Sequence, residues 1–494
     1  MVKIGWGRRE ISLDEPLRLM GQTFLRISQG IHDPMYATAL CVDGGEDAVI
    51  FCSMDIIALR LDLINEIKAA VRSQCPDLPA DNIILNATHT HAGGCIEQTP
   101  ETSPDGKPIY SGLKYREFVI KQCRDAIIQA WTSRKPGGMG YGYGYAVVAH
   151  QRRVIYFEDQ SLRNPSAVAP NGHGVMYGNT DDEQFSHFEN GADHFLNVMF
   201  TFDQREKLTG IVINVPCPAQ VGGQMTQQSS DYWHEVRQEV KKAFGEDVFV
   251  LSQCAPAGDL SPRILHYREA QARRMGLKYG LHYTPRKITE YNRVMAERRD
   301  IAQRIIAGVT EVYDWAKKDI LWEFPVRYVC KAVPLSRRFI TDQEAQWCAD
   351  NIAQMQAQIP AQESCTDEEY RMAFSRFTTV KNRNLRALDR YEAQQSDPEV
   401  DALIHIVQLG PIAFAFNRFE LYQSYMHRVQ ARSPFVQTFM IQLAGDGGVC
   451  YLPTEEAVKN KGYSASVFCN QVGPEGGQQM VEATLQTLNA LSQL

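Results

Sequence analysis

The sequence predicts an α/β protein in which a mixed sheet is flanked by helices. Three observations support this prediction: apolar runs of strand length recur along the chain, helical periodicities follow some of them, and turn residues separate the segments. Apolar runs without polar alternation are typical of strands that are covered on both faces. No repeat, low-complexity linker or long charge block divides the chain, so we expect one unit over residues 1–494.

The first half of the chain alternates strands with helices. The run 47–55 predicts a buried strand, and segment 61–71 repeats apolar residues every four positions, which predicts a helix that ends before Pro76. Segment 82–94 predicts a strand that runs into a glycine turn. Further buried strands are predicted at 209–217, 247–254, 411–419 and 436–445.

The segment 266–398 is predicted to be rich in helices. Thr284 and Pro285 provide an N-cap and a first-turn proline for one helix, and Thr341 with Glu344 forms a capping box for another. We interpret the apolar stripes of these helices as surfaces that pack onto the sheet.

Residues 164–195 are predicted to form a long loop. Asn, Gly, Asp and His are frequent there, and apolar residues follow no clear period. Loops of this length act as lids and binding loops or serve as surface decoration, and both interpretations stay open.

Composition and charge exclude several classes of protein. A formal charge of −7, from 51 Lys and Arg against 58 Asp and Glu, gives no general attraction for nucleic acid or an anionic membrane. No apolar run reaches the roughly 20 residues of a membrane-spanning helix. Arg8, Arg9 and Glu10 stand where a secretory signal has its apolar segment. We therefore expect a cytoplasmic protein that binds a small-molecule substrate, with no nucleic-acid partner and no stable membrane association.

The twelve cysteines are scattered singly along the chain and include no C-x-x-C pair. This pattern predicts reduced thiols, most of them small buried side chains of a cytosolic protein. No disulfide framework is expected.

A histidine pair follows the strand predicted in segment 82–94. If that strand stays extended through His89 and His91, both imidazoles project to the same face, while Thr90 points away. Two imidazoles beside glycines that allow a close backbone approach suit a metal or substrate site. An H-x-H pair also occurs in structural or exposed positions, so this pattern alone leaves both interpretations open.

Two further segments place polar residues after predicted strands, where open α/β sheets assemble their sites. A tight turn at 257–263 exposes Ser261, either as a nucleophile or as a residue that caps its own turn. Glu420 closes another strand, and Tyr451 and Tyr463 follow the last one. Tyrosines are common packing residues, so these positions are not distinctive by themselves.

In this order, the motifs resemble those of the neutral (non-lysosomal) ceramidase family, in particular its shorter bacterial relatives. The resemblance implies that family's catalytic domain with a helix-rich insertion. We expect no C-terminal immunoglobulin-like domain, because the chain ends 31 residues after Tyr463. The matching stretches span nearly the whole chain: NATHTHAGG (86–94), AHQRR (149–153), AGDLSPR (257–263), ARSPF (431–435) and CYLPTEEAVKNKGY (450–463).

The resemblance implies the chemistry of a zinc amidase that cleaves the N-acyl bond of ceramide. By position, His89, Glu420 and Tyr451 match three of the family's zinc ligands. Zinc lowers the pKa of bound water to about 7 and so supplies hydroxide at neutral pH. The family's second metal histidine corresponds here to Pro218, whose side chain cannot bind a metal.

The loss of that histidine leaves three interpretations of the metal site. Cys217 or His234 replaces the missing ligand, or a weaker site uses the three remaining ligands alone, or the site holds no metal. Glu420 also stands in the context Asn417-Arg418-Phe419-Glu420 rather than the family's P-G-E, which weakens its assignment as a ligand.

Four more residues match family positions with other roles. His91, Arg152 and Tyr463 match residues that bind substrate or stabilise developing charge. Ser261 matches the serine of the family's G-D-x-S-P turn, which acts as the nucleophile or orients the substrate. Arginine and tyrosine donors suit an oxyanion, where one donor contributes about 3 kcal/mol.

The leading hypothesis is a cytoplasmic hydrolase that cleaves an amide or another polar bond of a small soluble substrate, since a protein without a membrane-binding element reaches ceramide poorly. We expect recognition by segment 164–195 and by Arg152 and Arg153. One rival is metal-independent chemistry that uses carboxylates, with a carbohydrate derivative as a candidate substrate. Another is a binding protein without turnover. The candidate carboxylates of the first rival are Asp55, Asp259 and Glu420.

Overall fold

The computed structural model describes residues 1–166, 168–281, 290–448 and 450–494. Most of the strands are two to nine residues long, and three reach eleven. In chain order they are β1 (Lys3–Glu10), β2 (Arg18–Leu19), β3 (Arg26–Ile27), β4 (Tyr36–Asp43), β5 (Ala48–Met54), β6 (Ile83–Ala87), β7 (Lys135–Tyr145), β8 (His150–Gln151), β9 (Arg153–Tyr156), β10 (Gly174–Met176), β11 (Phe185–Phe188), β12 (Phe195–Asp203), β13 (Leu208–Val215), β14 (Phe249–Cys254), β15 (Leu260–Ser261), β16 (Val326–Ser336), β17 (Glu399–Leu409), β18 (Ile412–Phe416), β19 (Glu420–Leu421), β20 (Gln437–Ile441) and β21 (Tyr451–Leu452).

The helices lie between these strands, with the longest of them in the middle of the chain. Within the described residues, no helix is both long enough and apolar enough to cross a membrane. The α-helices are α1 (Leu61–Gln74), α2 (Gly112–Thr132), α3 (Tyr232–Phe244), α4 (Arg268–Tyr279), α5 (Glu290–Ala316), α6 (Asp342–Ala357), α7 (Asp367–Ala393), α8 (Gln423–Gln430), α9 (Glu455–Asn460) and α10 (Pro474–Ser492).

The larger sheet orders eight of the described strands as β14-β13-β12-β7-β1-β4-β5-β6. Its two outermost pairs, β13 with β14 and β5 with β6, are parallel. The inner pairs are antiparallel. The predicted mixed sheet is therefore confirmed, with its parallel pairs at the two edges.

A smaller sheet, ordered β16-β17-β18-β20, packs face to face against the larger one. Phe414 and Phe416 of β18 point into the apolar layer between the sheets, where the rings of Phe51 and Phe414 lie 5.2 Å apart. Ala413 and Ala415 point to the opposite face, towards the helices. Because both faces of β18 are covered, its sequence is apolar throughout.

Helices cover the outer face of each sheet, so the molecule has four layers. On the larger sheet, α1 and α2 cover the half that contains β1, β4 and β5, while α3 and α5 cover the other half. On the smaller sheet, α8 and α10 pack against the outer face. This arrangement confirms the predicted flanking helices.

Most of the predicted elements are confirmed. The predicted buried strands correspond to β5, β6, β13, β14, β18 and β20, and the first predicted helix is α1. The segment 266–398 contains α4 to α7, and Thr341 and Glu344 form the predicted capping box at α6. The segment also contributes β16, which pairs with β17 at the edge of the smaller sheet. Thr284 and Pro285 lie outside the described residues.

Two local expectations are wrong. β6 ends at Ala87, and His89 takes a left-handed backbone conformation with φ of 62°, so strand alternation does not relate the two imidazoles. Segment 164–195 is also not one loop, because β10 and β11 pair with the two edges of β9. A small apolar cluster that includes Val154 and Val175 stabilises this three-stranded sheet.

A buried histidine in the smaller sheet makes stability depend on pH. His405 is 1% exposed, accepts a hydrogen bond from the Tyr328 hydroxyl (2.8 Å) and donates one to the Gly445 carbonyl (2.9 Å). Burial lowers its pKa to about 4. Below pH 6.5 the unfolded chain therefore binds a proton that the folded protein takes up only near pH 4. The contribution of the neutral His405 to the free energy of unfolding is therefore complete above pH 6.5 and decreases as the pH falls towards 4.

We expect His405 alone to lower the free energy of unfolding by about 3 kcal/mol between pH 7 and pH 4. Urea denaturation at several pH values measures this slope. His405→Gln should flatten it, and the same substitution at the exposed His187 serves as the control. An unchanged slope in His405→Gln would contradict the assignment.

Candidate functional site

A cavity of about 1270 Å³ opens at the carboxyl ends of the parallel strands. β6 leads into the histidine pair, β14 into the turn 257–263, and β18 towards Glu420. The structure brings all seven of the principal residues selected from the sequence to the wall of this cavity. They are His89, His91, Arg152, Ser261, Glu420, Tyr451 and Tyr463.

Two short strand pairs bring distant segments together at the cavity. β15 pairs with β8, so Ser261 lies opposite His150, two residues before Arg152. β19 pairs with β21, so Glu420 lies opposite Tyr451. Residues separated by tens to hundreds of positions thus become neighbours through backbone pairing.

Gly258 allows the turn 257–263 to lie directly against β19. A Cβ atom at this position would come within 2.3 Å of the Glu420 carbonyl oxygen. The Gly258 amide instead donates a hydrogen bond to the Leu421 carbonyl at 2.8 Å. The glycine of this motif is therefore required by close backbone packing.

His89, His91 and Glu420 meet at the centre of the site. The His89 Nε2 atom lies 3.4 Å from Glu420 Oε2 and 3.4 Å from His91 Nε2. His89 Nδ1 donates to the Ile57 carbonyl at 2.7 Å, which directs Nε2 towards the cavity. Burial, together with the neighbouring His89, Arg26 and Arg152, holds the pKa of His91 well below its usual range.

The pKa of the Glu420 carboxyl lies below its usual range although the group is buried. Burial alone opposes its ionisation, but His89, Arg152 and a hydrogen bond from Tyr451 together lower the pKa of this carboxyl. Burial and the negative charge of Glu420 raise the pKa of Tyr451 well above its usual range. The Tyr451 phenol therefore keeps its proton and donates a hydrogen bond to the carboxylate.

Arg152 connects the two sides of the site. Its Nη2 atom donates to the Gly258 carbonyl (2.7 Å) and to the Tyr451 hydroxyl (3.2 Å), and Nη1 donates to the Tyr177 hydroxyl (3.2 Å). Three of its five N–H groups are thus engaged. The buried Nε–H has no acceptor among the described residues.

Tyr177 is a site residue that the sequence did not reveal. It follows β10 within segment 164–195, has a positive φ of 58°, and interacts with Arg152, Ser261 and Gln220. Burial raises the pKa of this phenol, but the charge of Arg152 and the hydrogen bond from Ser261 outweigh burial and lower it. No motif marks this tyrosine, because its position depends on the pairing of β10 with β9.

Arg383 is a second residue that sequence reasoning missed. It lies on α7 and donates from Nη1 to the Tyr463 hydroxyl at 2.7 Å, with its guanidinium 5.5 Å from the centre of that ring. Both residues line the cavity. The helical periodicity of α7 predicted only packing and gave no sign of a site residue.

The two proposed replacement ligands, Cys217 and His234, do not line the cavity. Cys217 is buried in the apolar cluster beside α3, with its Sγ atom 3.4 Å from the Val148 carbonyl. Burial raises the pKa of this thiol well above its usual range. His234 lies on α3 and faces the charged groups of Asp33, Arg298, Arg237 and His32.

Two carboxylates considered from the sequence, Asp55 and Asp259, also lie outside the cavity lining. Asp55 is fully buried in an ion pair with Arg237 at 2.8 Å. Asp259 accepts hydrogen bonds from the Gln423 amide and the Gln151 side chain, both at 3.1 Å. These two carboxylates are therefore structural.

Arg153, which we expected to recognise substrate together with Arg152, is also structural. It is fully buried and forms a two-bond ion pair with Glu189, and it donates further hydrogen bonds to the Ala457 and Lys461 carbonyls. Neighbours in sequence thus have different surroundings, since Arg152 faces the cavity and Arg153 faces the interior.

The donor set for zinc is incomplete. His89 Nε2 and Glu420 Oε2 are separated by 3.4 Å, close to the roughly 3.3 Å between two tetrahedral zinc ligands. However, no group of three or more His, Cys, Asp and Glu side chains in the described residues is arranged to hold a metal ion. The described His, Cys, Asp and Glu side chains therefore do not complete a zinc site. The Tyr451 phenol, which bonds to Glu420, and the His91 imidazole are the neighbouring donors.

Comparison with solved structures identifies the fold. No known protein-family model matches the chain. It superposes over its full length on 74% of a neutral ceramidase from Pseudomonas aeruginosa, with a TM-score of 0.67 and 16% identity. It likewise covers 75% of a ceramidase complexed with C2, with a TM-score of 0.64 and 14% identity. The chain thus has the α/β fold of the neutral ceramidases, as the motif resemblance predicted.

The buried ion pair of Arg153 provides a test of its structural role. Glu189→Ala leaves the guanidinium buried without a counter-charge, so we expect the free energy of unfolding to fall by about 3 kcal/mol. Chemical denaturation measures this loss. Glu482→Ala, which breaks an exposed pair with Arg432, is the matched control and should have little effect. Wild-type stability in Glu189→Ala would refute the structural role.

Proposed function

We propose that the chain is a hydrolase that cleaves an amide C–N bond of a small polar substrate, with Ser261 as the nucleophile. The observation that carries this proposal is the convergence of seven motif residues, from segments spread between positions 89 and 463, on one cavity. The neutral ceramidase fold supports the same class of reaction.

Tyr177 is the general base in this proposal. The Ser261 hydroxyl interacts with its phenol, and the guanidinium groups of Arg152 and Arg263 lie 5.7 and 5.5 Å from the centre of its ring. These charges favour the phenolate, which is the form that accepts a proton. A base within hydrogen-bonding reach of a serine is the arrangement that activates this weak nucleophile.

The reaction then proceeds in two balanced steps. Tyr177 takes the Ser261 proton as Oγ attacks the substrate carbonyl carbon, and the proton passes to the leaving nitrogen as the C–N bond breaks. Water next attacks the acyl-serine, Tyr177 accepts the water proton, and that proton returns to Ser261 as the acid is released. Arg152, whose Nη1 has one N–H group left after its bond to Tyr177, donates to the oxyanion that forms in each step.

The remaining cavity residues bind and orient the substrate. His91 and Tyr463 line the wall, and His91 has the neutral imidazole suited to a hydrogen bond with a polar group. Glu420 and Tyr451 hold Arg152 in place by charge and by a hydrogen bond. We place this reaction in the cytoplasm; all twelve cysteines lie in the described residues and none is in a disulfide, which supports a reducing compartment.

Glycoside hydrolysis is less well supported. That chemistry uses two carboxyl groups on either side of the scissile bond. The described carboxylates of the cavity are Glu297 and Glu420, and Glu297 forms an ion pair with Arg293 at 3.0 Å. Asp55 and Asp259, the other carboxylates considered, lie outside the lining.

Ser261→Ala and Tyr177→Phe test the nucleophile and its base. We expect both substitutions to lower kcat, Tyr177→Phe by about 100- to 10,000-fold. KM should change little, because the substitutions remove groups that act in the chemical step and not groups that bind the substrate. The low-pH limb of the kcat profile should disappear in Tyr177→Phe. Steady-state kinetics on soluble amides measures these changes, and Tyr143→Phe, an exposed tyrosine outside the cavity, is the control. Full activity in Tyr177→Phe would eliminate it as the base.

Zinc content tests the incomplete donor set. We expect freshly purified protein to hold less than about a tenth of an equivalent of zinc, and activity to survive a chelator, because Pro218 takes the place of one family ligand. Elemental analysis and assays with and without chelator measure both quantities. The opposite outcome is one full equivalent of zinc per chain, with both the zinc and the activity lost in His89→Ala. That result would support a metal-activated water, with His89, Glu420 and Tyr451 as ligands.

Pro218 also favours a second candidate, a binding protein without turnover. In this candidate, a protein that lacks one metal-ligating histidine keeps the cavity and its arginines but no longer catalyses the reaction. Measurable ligand affinity with no hydrolysis across amides, esters and glycosides would support this candidate over the hydrolase.

A further inference from the structure

The cavity is strongly cationic although the chain as a whole is acidic. Among the described residues that line it, six are arginines and two are glutamates, whereas the whole chain has a formal charge of −7. A concave surface of one sign concentrates ligands of the opposite sign. The arginines are Arg18, Arg152, Arg263, Arg293, Arg383 and Arg386.

Most of these arginines have no carboxylate partner. Arg293 pairs with Glu297, and Arg152 bonds to a carbonyl and two phenols. The other four, which are Arg18, Arg263, Arg383 and Arg386, form no ion pair with a carboxylate in the described part of the chain. Their charges are therefore available to a ligand.

Arg383 and Arg386 form a like-charged pair on one face of α7. Residues three positions apart on a helix are neighbours, and like charges at this spacing repel each other. Burial and the charge of Arg383 lower the pKa of Arg386. An anion between the two guanidinium groups would relieve this repulsion and accept charge-assisted hydrogen bonds from both.

We infer that the substrate carries an anionic group, a carboxylate or a phosphate, that binds between Arg383 and Arg386 while its scissile bond lies near Ser261. Arg383 also bonds to Tyr463, so the anion subsite is continuous with the residues of the proposed active site. The helix-rich segment thus supplies the recognition wall of the cavity. The hydrolytic part of this inference rests on the proposed function, whereas the binding part does not.

Calorimetric titration of the full-length protein tests the subsite. Inorganic phosphate tests whether the subsite binds a phosphate group, and succinate tests whether it binds a carboxylate. Succinamide is the uncharged control. We expect at least one anion to bind, succinamide not to bind, and Arg383→Gln or Arg386→Gln to weaken the anion by about tenfold or more. Arg376→Gln removes a charge from the same helix outside the cavity lining and should leave binding unchanged.

The outcomes separate this inference from the proposed hydrolysis. Two results would overturn the subsite. Either the wild type binds no anion, or Arg383→Gln and Arg386→Gln bind it as tightly as the wild type does. Melting temperatures establish that the variants are folded. Anion binding that is lost in these variants, without hydrolysis of any succinyl or phosphoryl amide, would support the subsite and reject the hydrolase. A third outcome would support both the subsite and the hydrolase. In that outcome the protein hydrolyses a succinyl anilide, Arg383→Gln raises the KM for this substrate, and the same variant leaves the KM for the uncharged methyl ester unchanged.

Discussion

The apolar layer between the two sheets is the constraint on which the site depends. Rings such as Phe51 and Phe414 are in contact across this layer, and each fully buried phenylalanine contributes roughly 2 kcal/mol. Sliding one sheet over the other would expose these rings. The ends of β6, β14 and β18 are therefore held near one another, although they belong to two different sheets.

Within that frame, Arg152 is the residue that joins the parts of the site. A buried guanidinium is costly unless its charge and its N–H groups are satisfied. Here the cost is offset by the Gly258 carbonyl, by two phenols, and by the negative charge of Glu420 nearby. The charge of Arg152 lowers the pKa of both phenols. At Tyr451 burial and the charge of Glu420 outweigh this effect and the phenol keeps its proton, whereas at Tyr177 the net shift of the pKa is downward.

The helix-rich segment is part of the fold and not an appendage to it. Its strand β16 pairs with β17 along eleven residues, and α5 packs on the larger sheet. The same segment reaches the cavity through α5 and α7, which contribute Arg293, Arg383 and Arg386. Substrate recognition and stability are thus combined in one stretch of chain, because the helices that cover the sheets also wall the opening.

Local sequence determined the elements and the motif residues of this protein. Strands covered on both faces, such as β18, need continuous apolar runs, and a turn packed against β19 needs Gly258, so both leave a visible pattern. Only the tertiary structure decided which polar residues share the cavity. Arg152 and Arg153 are adjacent in sequence yet face different surroundings, and Tyr177 and Arg383 join the site through strand pairing and helix packing. The physical reason is that periodicity reports burial, which is a local property, whereas proximity across hundreds of residues is set by the packing of one layer on another.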